Sequence, residues 1–162
     1  GFALAYPNYL ASLCLCDTQP GTPPGSAGTW EERKATVRSK GLAALADGTM
    51  DRWFTPEFRQ VNPVRWREIR DTISGTTPAG SAGCMSAIQG FDYLERLPTI
   101  KAPSLVICGD EDEGTPPERN KLIASKIPGG RYEGIARARH LPNVERPDAF
   151  NRILLNWLAA NR

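Results

Sequence analysis

The spacing of apolar residues in three stretches predicts a parallel sheet. Leu10 to Cys16 (LASLCLC) and Ser104 to Cys108 (SLVIC) are short, nearly unbroken apolar runs, each ending in a turn signal. Runs of this kind suit strands buried on both faces of such a sheet. Arg131 to Ile135 (RYEGI) alternates polar and apolar residues, which predicts a strand at the sheet edge. From Pro147 to Ala160 the residues Phe150, Ile153, Leu154, Trp157 and Leu158 fall on one stripe at helical spacing, so a last helix is expected to pack against the sheet. Strands alternating with helices make the predicted fold class α/β.

A different texture lies between the first two strands. From Thr29 to about Leu97 the pattern reads as several short helices. Thr29 with Glu32 has the form of a capping box, and Asn62 before Pro63 marks another helix start. Met50, Trp53 and Phe54 share one face, as do Trp66, Ile69 and Ile73. Ahead of this region, Asp17 to Gly28 (DTQPGTPPGSAG) is dense in Pro, Gly, Ser and Thr and reads as a loop or linker. The expected organisation is a helix, strand and linker over residues 1–28, a helical insertion over 29–97, and the rest of the α/β core over 98–162.

Composition narrows the function classes. With 162 residues and 40% apolar content, the chain is long enough for a globular core, which excludes global disorder. A net charge of +2 without a clustered basic face gives no footprint for nucleic acid. No apolar run reaches the length of a membrane span, and the opening GFALAYPNYL lacks the charged start of a signal peptide, so a soluble, cytoplasmic protein is expected. Cys14, Cys16, Cys84 and Cys108 follow neither a disulfide framework nor a zinc spacing, and they are expected to be reduced and buried. The chain starts at Gly1, without methionine, inside what reads as a helix, which points to a piece of a longer protein.

Candidate chemistry gathers at two loops. In GDEDEGTPPE, Gly109 to Glu118, four carboxylates precede a helix start formed by Thr115, two prolines and Glu118. These acids lie at a strand's carboxyl end, where open α/β sheets collect their ligands, although most of them must be solvated because neighbouring like charges cannot all be buried. A calcium loop is excluded, since its glycine position holds Thr115 and its closing glutamate position holds Lys121. The single histidine, His140, stands just after the edge strand, at the same end of the sheet. A carboxylate meeting that imidazole would hold its Nδ1 proton and leave Nε2 as a general base.

These residues resemble the later part of an α/β hydrolase, a family whose triad runs Ser, Asp or Glu, then His along the chain. In that family's G-x-x-D-x-x-T/P-P pattern the catalytic acid is the third residue after the glycine. The resemblance therefore implies Asp112 as the acid. His140, Glu145 and Pro147 match H-x-x-x-x-E-x-P, which implies His140 as the base. A closer similarity to the 3-oxoadipate enol-lactonase group runs through ADGTMDRWFT, GSAGCMSAIQGFDYLERLPTIKAPSLVICGDEDEGTPPE and ARHLPNVERPDAF. It implies hydrolysis of a small acidic enol-lactone in aromatic catabolism, a helical lid over residues 29–97, and no metal or organic cofactor. Trp53, with Arg52 beside it, becomes a candidate substrate contact, against the simpler expectation that it packs with Met50. The G-x-S-x-G elbow does not occur in these residues, and the resemblance places its serine about two helix turns upstream of Gly1. The expected partners are thus a small lactone or ester and the N-terminal half of the same protein. Other implied readings are an esterase, a haloperoxidase-like or C–C bond hydrolase, or a non-catalytic ligand-binding protein of the same fold.

Overall fold

The structure is a computed structural model that describes residues 1–161. The chain divides into two compact units, one made of Gly1–Pro20 with the chain from Tyr93 onward, the other of Gly21–Asp92. In chain order the elements are α1 (Phe2–Ala5), β1 (Leu13–Cys16), α2 (Ala27–Lys40), α3 (Ala43–Trp53), α4 (Pro56–Val61), α5 (Pro63–Ser74), α6 (Pro78–Gly90), β2 (Ser104–Gly109), α7 (Pro117–Lys126), β3 (Arg131–Ile135), α8 (Pro142–Glu145) and α9 (Pro147–Ala160). Short 3-10 turns cover Pro7–Tyr9 and Leu94–Thr99.

The first unit holds the sheet, ordered β1-β2-β3 with both pairings parallel. Leu13 faces Ser104 in register, and Leu105 faces Arg131, so all three strands end on the same side of the unit. Strand β2 is buried along its whole length, which is why its sequence is an unbroken apolar run. Its side chains alternate between two cores. Val106 packs with Leu97, Ile100, Ile123 and Ile127 on one face. Leu105 and Ile107 pack with Ile135, Phe150 and Trp157 on the other. Each fully buried aliphatic side chain contributes about 1.5–3 kcal/mol, so Leu105, Val106 and Ile107 tie β2 to both cores.

Several sequence expectations shift in detail. Strand β1 begins at Leu13, where the amide bonds Pro103 O, so Ser12 precedes the strand. Helix α9 buries Phe150 and Trp157, with Ile153 and Leu154 packed beside them, while Leu158 turns toward solvent. Of the four thiols only Cys108 is buried; Cys16 and Cys84 are exposed.

The second unit is helical. Helix α2 packs on α3 and α6, and α5 packs on α3 and α4. Val37, Ala46, Met50, Phe54, Phe58 and Trp66 are buried. Phe54 and Phe58 stack with ring centroids 4.5 Å apart, and the Arg59 guanidinium lies 4.4 Å over the Trp66 ring. Thr55 and Thr77 cap α4 and α6 by accepting from Phe58 N and Gly80 N. Helix α2 starts two residues before the expected cap at Thr29, because the chain is already turned at Ser26, whose hydroxyl bonds Pro23 O. Among the described residues no helix is long and apolar enough to cross a membrane.

Candidate active site

Strand β2 delivers the acidic loop and β3 delivers the histidine loop, both from their carboxyl ends. The two loops are pressed together at Gly109. A Cβ placed there would run into the carbonyl oxygens of Ala138 and Arg139, so the backbone approach requires glycine. Two amides of the acidic loop then stitch it to its neighbour, Asp110 N to Ile135 O at 3.0 Å and Glu111 N to Ala138 O at 3.0 Å. Arg137 adopts a left-handed conformation, φ +56°, as the histidine loop turns. Glu145, buried in α8, accepts from Arg139 N at 2.8 Å and fixes the residue before the histidine.

This geometry separates the four acids. Asp110, Glu111 and Glu113 are exposed, and Glu113 lies 3.4 Å from the Arg139 guanidinium. Asp112 is 2% exposed. Its Oδ2 lies 2.8 Å from His140 Nδ1 and accepts from the Thr115 hydroxyl at 2.6 Å. Its Oδ1 accepts from Gly114 N at 2.8 Å and from Thr115 N at 3.1 Å. Burial works to raise the Asp112 pKa, but the hydrogen bonds from His140 and Thr115 outweigh it and hold the carboxyl below its ordinary range. An ionised acceptor at Nδ1 fixes the imidazole tautomer that carries its proton there, which makes Nε2 the basic nitrogen.

Thr115 differs from its sequence reading. Its hydroxyl serves Asp112 and not the helix, which begins at Pro117 with Pro116 as the residue before it. The hydroxyl donates to a carboxylate, a stronger bond than one between neutral groups, and the cap position itself is taken by Pro116.

Sequence reasoning missed Asp17. It follows β1 directly, at the same end of the sheet, and is 7% exposed with φ +42°. Its Oδ1 accepts from Gly109 N at 2.8 Å. Burial pushes its carboxyl up to about 7, the Gly109 amide opposes the rise, and the nearby Asp112 charge adds to it. Acidic ends of buried apolar runs are the signal that could have marked it.

Asp17, Cys108 and Asp112 present ligand atoms within 4.8 Å of one another. The Asp112 oxygens and Asp17 Oδ1 are engaged by the N–H and O–H donors described above. Burial first, then the neighbouring Asp17 and Asp112, push the Cys108 thiol up, so it is a poor thiolate source. The donor set favours a hydrogen-bonded cluster over a metal centre. Of the residues expected from sequence to form a site, Asp112 and His140 meet; Trp53 closes α3 in the helical unit, where it is half-buried.

Comparison with known proteins extends this picture. Residues 2–147 match the model of the α/β hydrolase fold. The 3-oxoadipate enol-lactonase 2 of Acinetobacter baylyi is 32% identical over 149 residues, covering 92% of this chain and 55% of that enzyme. The crystal structure of the enol-lactonase from Burkholderia xenovorans superposes with a TM-score of 0.92 at 34% identity, covering 98% of this chain and 60% of that one. A thermophilic esterase from Thermogutta terrifontis, solved with malate bound, gives 0.91 at 28% identity, with 98% and 59% covered. The chain therefore spans little more than half the length of these relatives. A parallel sheet with its acid and histidine loops at one end, matched over nearly all of the sequence, establishes that this chain belongs to the α/β hydrolase fold family.

Proposed function

We propose that the complete protein is a serine-type hydrolase that opens a small lactone or ester, with an enol-lactone of aromatic catabolism as the favoured substrate class, and that Asp112 and His140 are its acid and base. The observation that carries this reading is the 2.8 Å contact of His140 Nδ1 with a buried Asp112 at the carboxyl end of a parallel sheet. The nucleophile is a serine on an elbow outside these 162 residues. His140 takes the serine proton at Nε2 as the oxygen attacks the carbonyl, and returns it to the leaving oxygen when the acyl bond breaks. Water then repeats the cycle and releases the acid. Asp112 stays ionised throughout and stabilises the imidazolium. Trp53 and Arg52, on the helical unit, are the candidates for contact with the substrate ring and its carboxylate.

The experiment is a steady-state assay of the protein carrying the upstream elbow, with 3-oxoadipate enol-lactone and p-nitrophenyl acetate as alternative substrates. His140→Ala is expected to lower turnover by orders of magnitude with the fold retained by circular dichroism. An active His140→Ala protein removes the histidine from the mechanism. Preference for the acyclic ester would favour the second reading, an esterase, which the likeness to the Thermogutta enzyme supports.

A further inference from the structure

The loop that carries Asp112 runs from Gly109 to Thr115, and it is gripped at both ends by groups to which the proposed mechanism assigns no step. At its start, Asp17 is joined to the end of β2 twice. Its backbone N bonds Ile107 O at 2.9 Å and its Oδ1 accepts from Gly109 N at 2.8 Å, so the carboxylate continues the parallel ladder by one bond beyond the strand. Gly109 O in turn accepts from Asp112 N at 3.2 Å. At the loop's other end, the fully buried Asn120 of α7 donates from Nδ2 to Thr115 O at 2.7 Å and to Pro116 O at 3.3 Å. Its Oδ1 accepts from Thr18 N at 3.1 Å. The two neighbours Asp17 and Thr18 therefore hold the start of the loop directly and its end through Asn120. Between those points the loop presents Asp112 Oδ2 to His140 and the Thr115 hydroxyl to the same oxygen.

A backbone in the left-handed region is uncommon for a residue other than glycine, and Asp is among the residue types that tolerate it. Asp17 adopts it at a cost, and the two bonds to β2 are what it secures. An ionised carboxyl group is also expensive to bury, unless its acceptor role is required. A neutral carbonyl acceptor would satisfy Gly109 N equally well, in keeping with the upward displacement of the Asp17 carboxyl.

We propose that Asp17 and Asn120 are positioning residues that hold both ends of the Asp112 loop and so aim its carboxylate at His140. This rests on the reading of Asp112 and His140 as acid and base. Asp17→Ala removes the acceptor for Gly109 N, and Asn120→Ala releases the Thr115 and Pro116 carbonyls together with Thr18 N. In the complete protein, assayed with p-nitrophenyl acetate, each is expected to lower kcat about tenfold or more while KM stays within about twofold, because a small misplacement of a catalytic group acts on the transition state. Each is also expected to shift the low-field Nδ1 proton resonance of the imidazole, assigned by its loss in His140→Gln. Asp17→Asn keeps an acceptor for Gly109 N and restores most of both losses.

A folded Asp17→Ala protein with wild-type kcat and an unmoved resonance overturns the proposal, as does an Asp17→Asn protein no better than Asp17→Ala. If Asp17→Ala does not fold, Asn120→Ala decides by the same two measurements. Should His140→Ala prove as active as wild type, the functional reading fails on its own, and the proton resonance alone judges the positioning, since it reports the Asp112 contact whatever the reaction.

Discussion

Raising the pH from 5 to 8 is expected to weaken the fold through Asp17. Burial lifts its carboxyl from the ordinary value of 3.8 to about 7, so the folded state favours the neutral form. The sign follows from linkage. A folded-state value above the unfolded one contributes stability that is whole below about pH 4 and is lost as pH rises through about 7. At about 1.36 kcal/mol per pH unit, the gap between the two values sets a ceiling of about 4 kcal/mol, with about 2–3 kcal/mol of it falling between pH 5 and 7. Asp17 is 7% exposed, so this order-of-magnitude figure is little reduced by solvent screening. The ionisable groups around Asp17 include Cys16, Cys108, Asp112, Tyr132 and His140. Asp112 acts in the opposite sense and outside the window, because its depressed value adds stability above its ordinary 3.8 that is lost only on further acidification. The assay is urea unfolding of the complete protein at pH 5, 6, 7 and 8, followed by tryptophan fluorescence, beside Asp17→Asn. The variant keeps the acceptor but cannot titrate, so its stability is expected to fall less steeply over the window and to exceed wild type at pH 8. The remaining ionisable groups are common to both proteins and cancel in the difference. Parallel stability curves for the two proteins would refute the reasoning.

Three further outcomes are expected. Asp112→Asn in the complete protein replaces Oδ2 or Oδ1 by a donor, which favours the wrong imidazole tautomer and lowers kcat by about 10³–10⁴ in the ester assay; a loss below about tenfold would remove Asp112 from the acid role. Gly109→Ala forces the acidic loop away from the Ala138 and Arg139 carbonyls and is expected to lower stability by about 1–3 kcal/mol in thermal or urea unfolding, where an unchanged midpoint would contradict the close approach. Glu145→Ala strips the acceptor from Arg139 N and is expected to cost about 1–3 kcal/mol by the same measurement, with Glu145→Gln closer to wild type.

The strands were legible because burial on both faces leaves an unbroken apolar run, and β2 and β3 fall within a residue of the expected bounds. The apolar run starts three residues ahead of β1, because Leu10 is apolar but lies before the pairing with β2 begins at Leu13. Asp112 and His140 were reached through motif position, and no local pattern distinguishes Asp112 from the acids beside it; its burial comes from Gly114, Thr115 and a histidine far along the chain. In the sequence, Asp17 is the first residue of a polar linker. Its role depends on Gly109, which the sequence separates from it by the whole helical unit. The expected caps at Thr115 and Thr29 differ for one reason, a shifted helix start: α7 begins at Pro117 after Pro116, and α2 begins at Ala27 after Ser26.

The parallel register also leaves the two links of the sheet very unequal in length. The link from β2 to β3 occupies residues 110–130 and contains a single helix, whereas the link from β1 to β2 occupies residues 17–103. Closing the longer link costs about 1 kcal/mol more in chain entropy, and non-local pairings of this kind slow folding. The foot of the helical unit changes that arithmetic. Gly21 pairs with Asp92 in an isolated antiparallel bridge, and Thr22 N bonds Phe91 O at 3.1 Å. Once this foot has formed, only residues 17–20 and 93–103 still have to be closed before β1 meets β2. A helical insertion that ties its own ends together thus acts as a splint, and it lets a long excursion from the sheet be folded at nearly the entropic cost of a short loop.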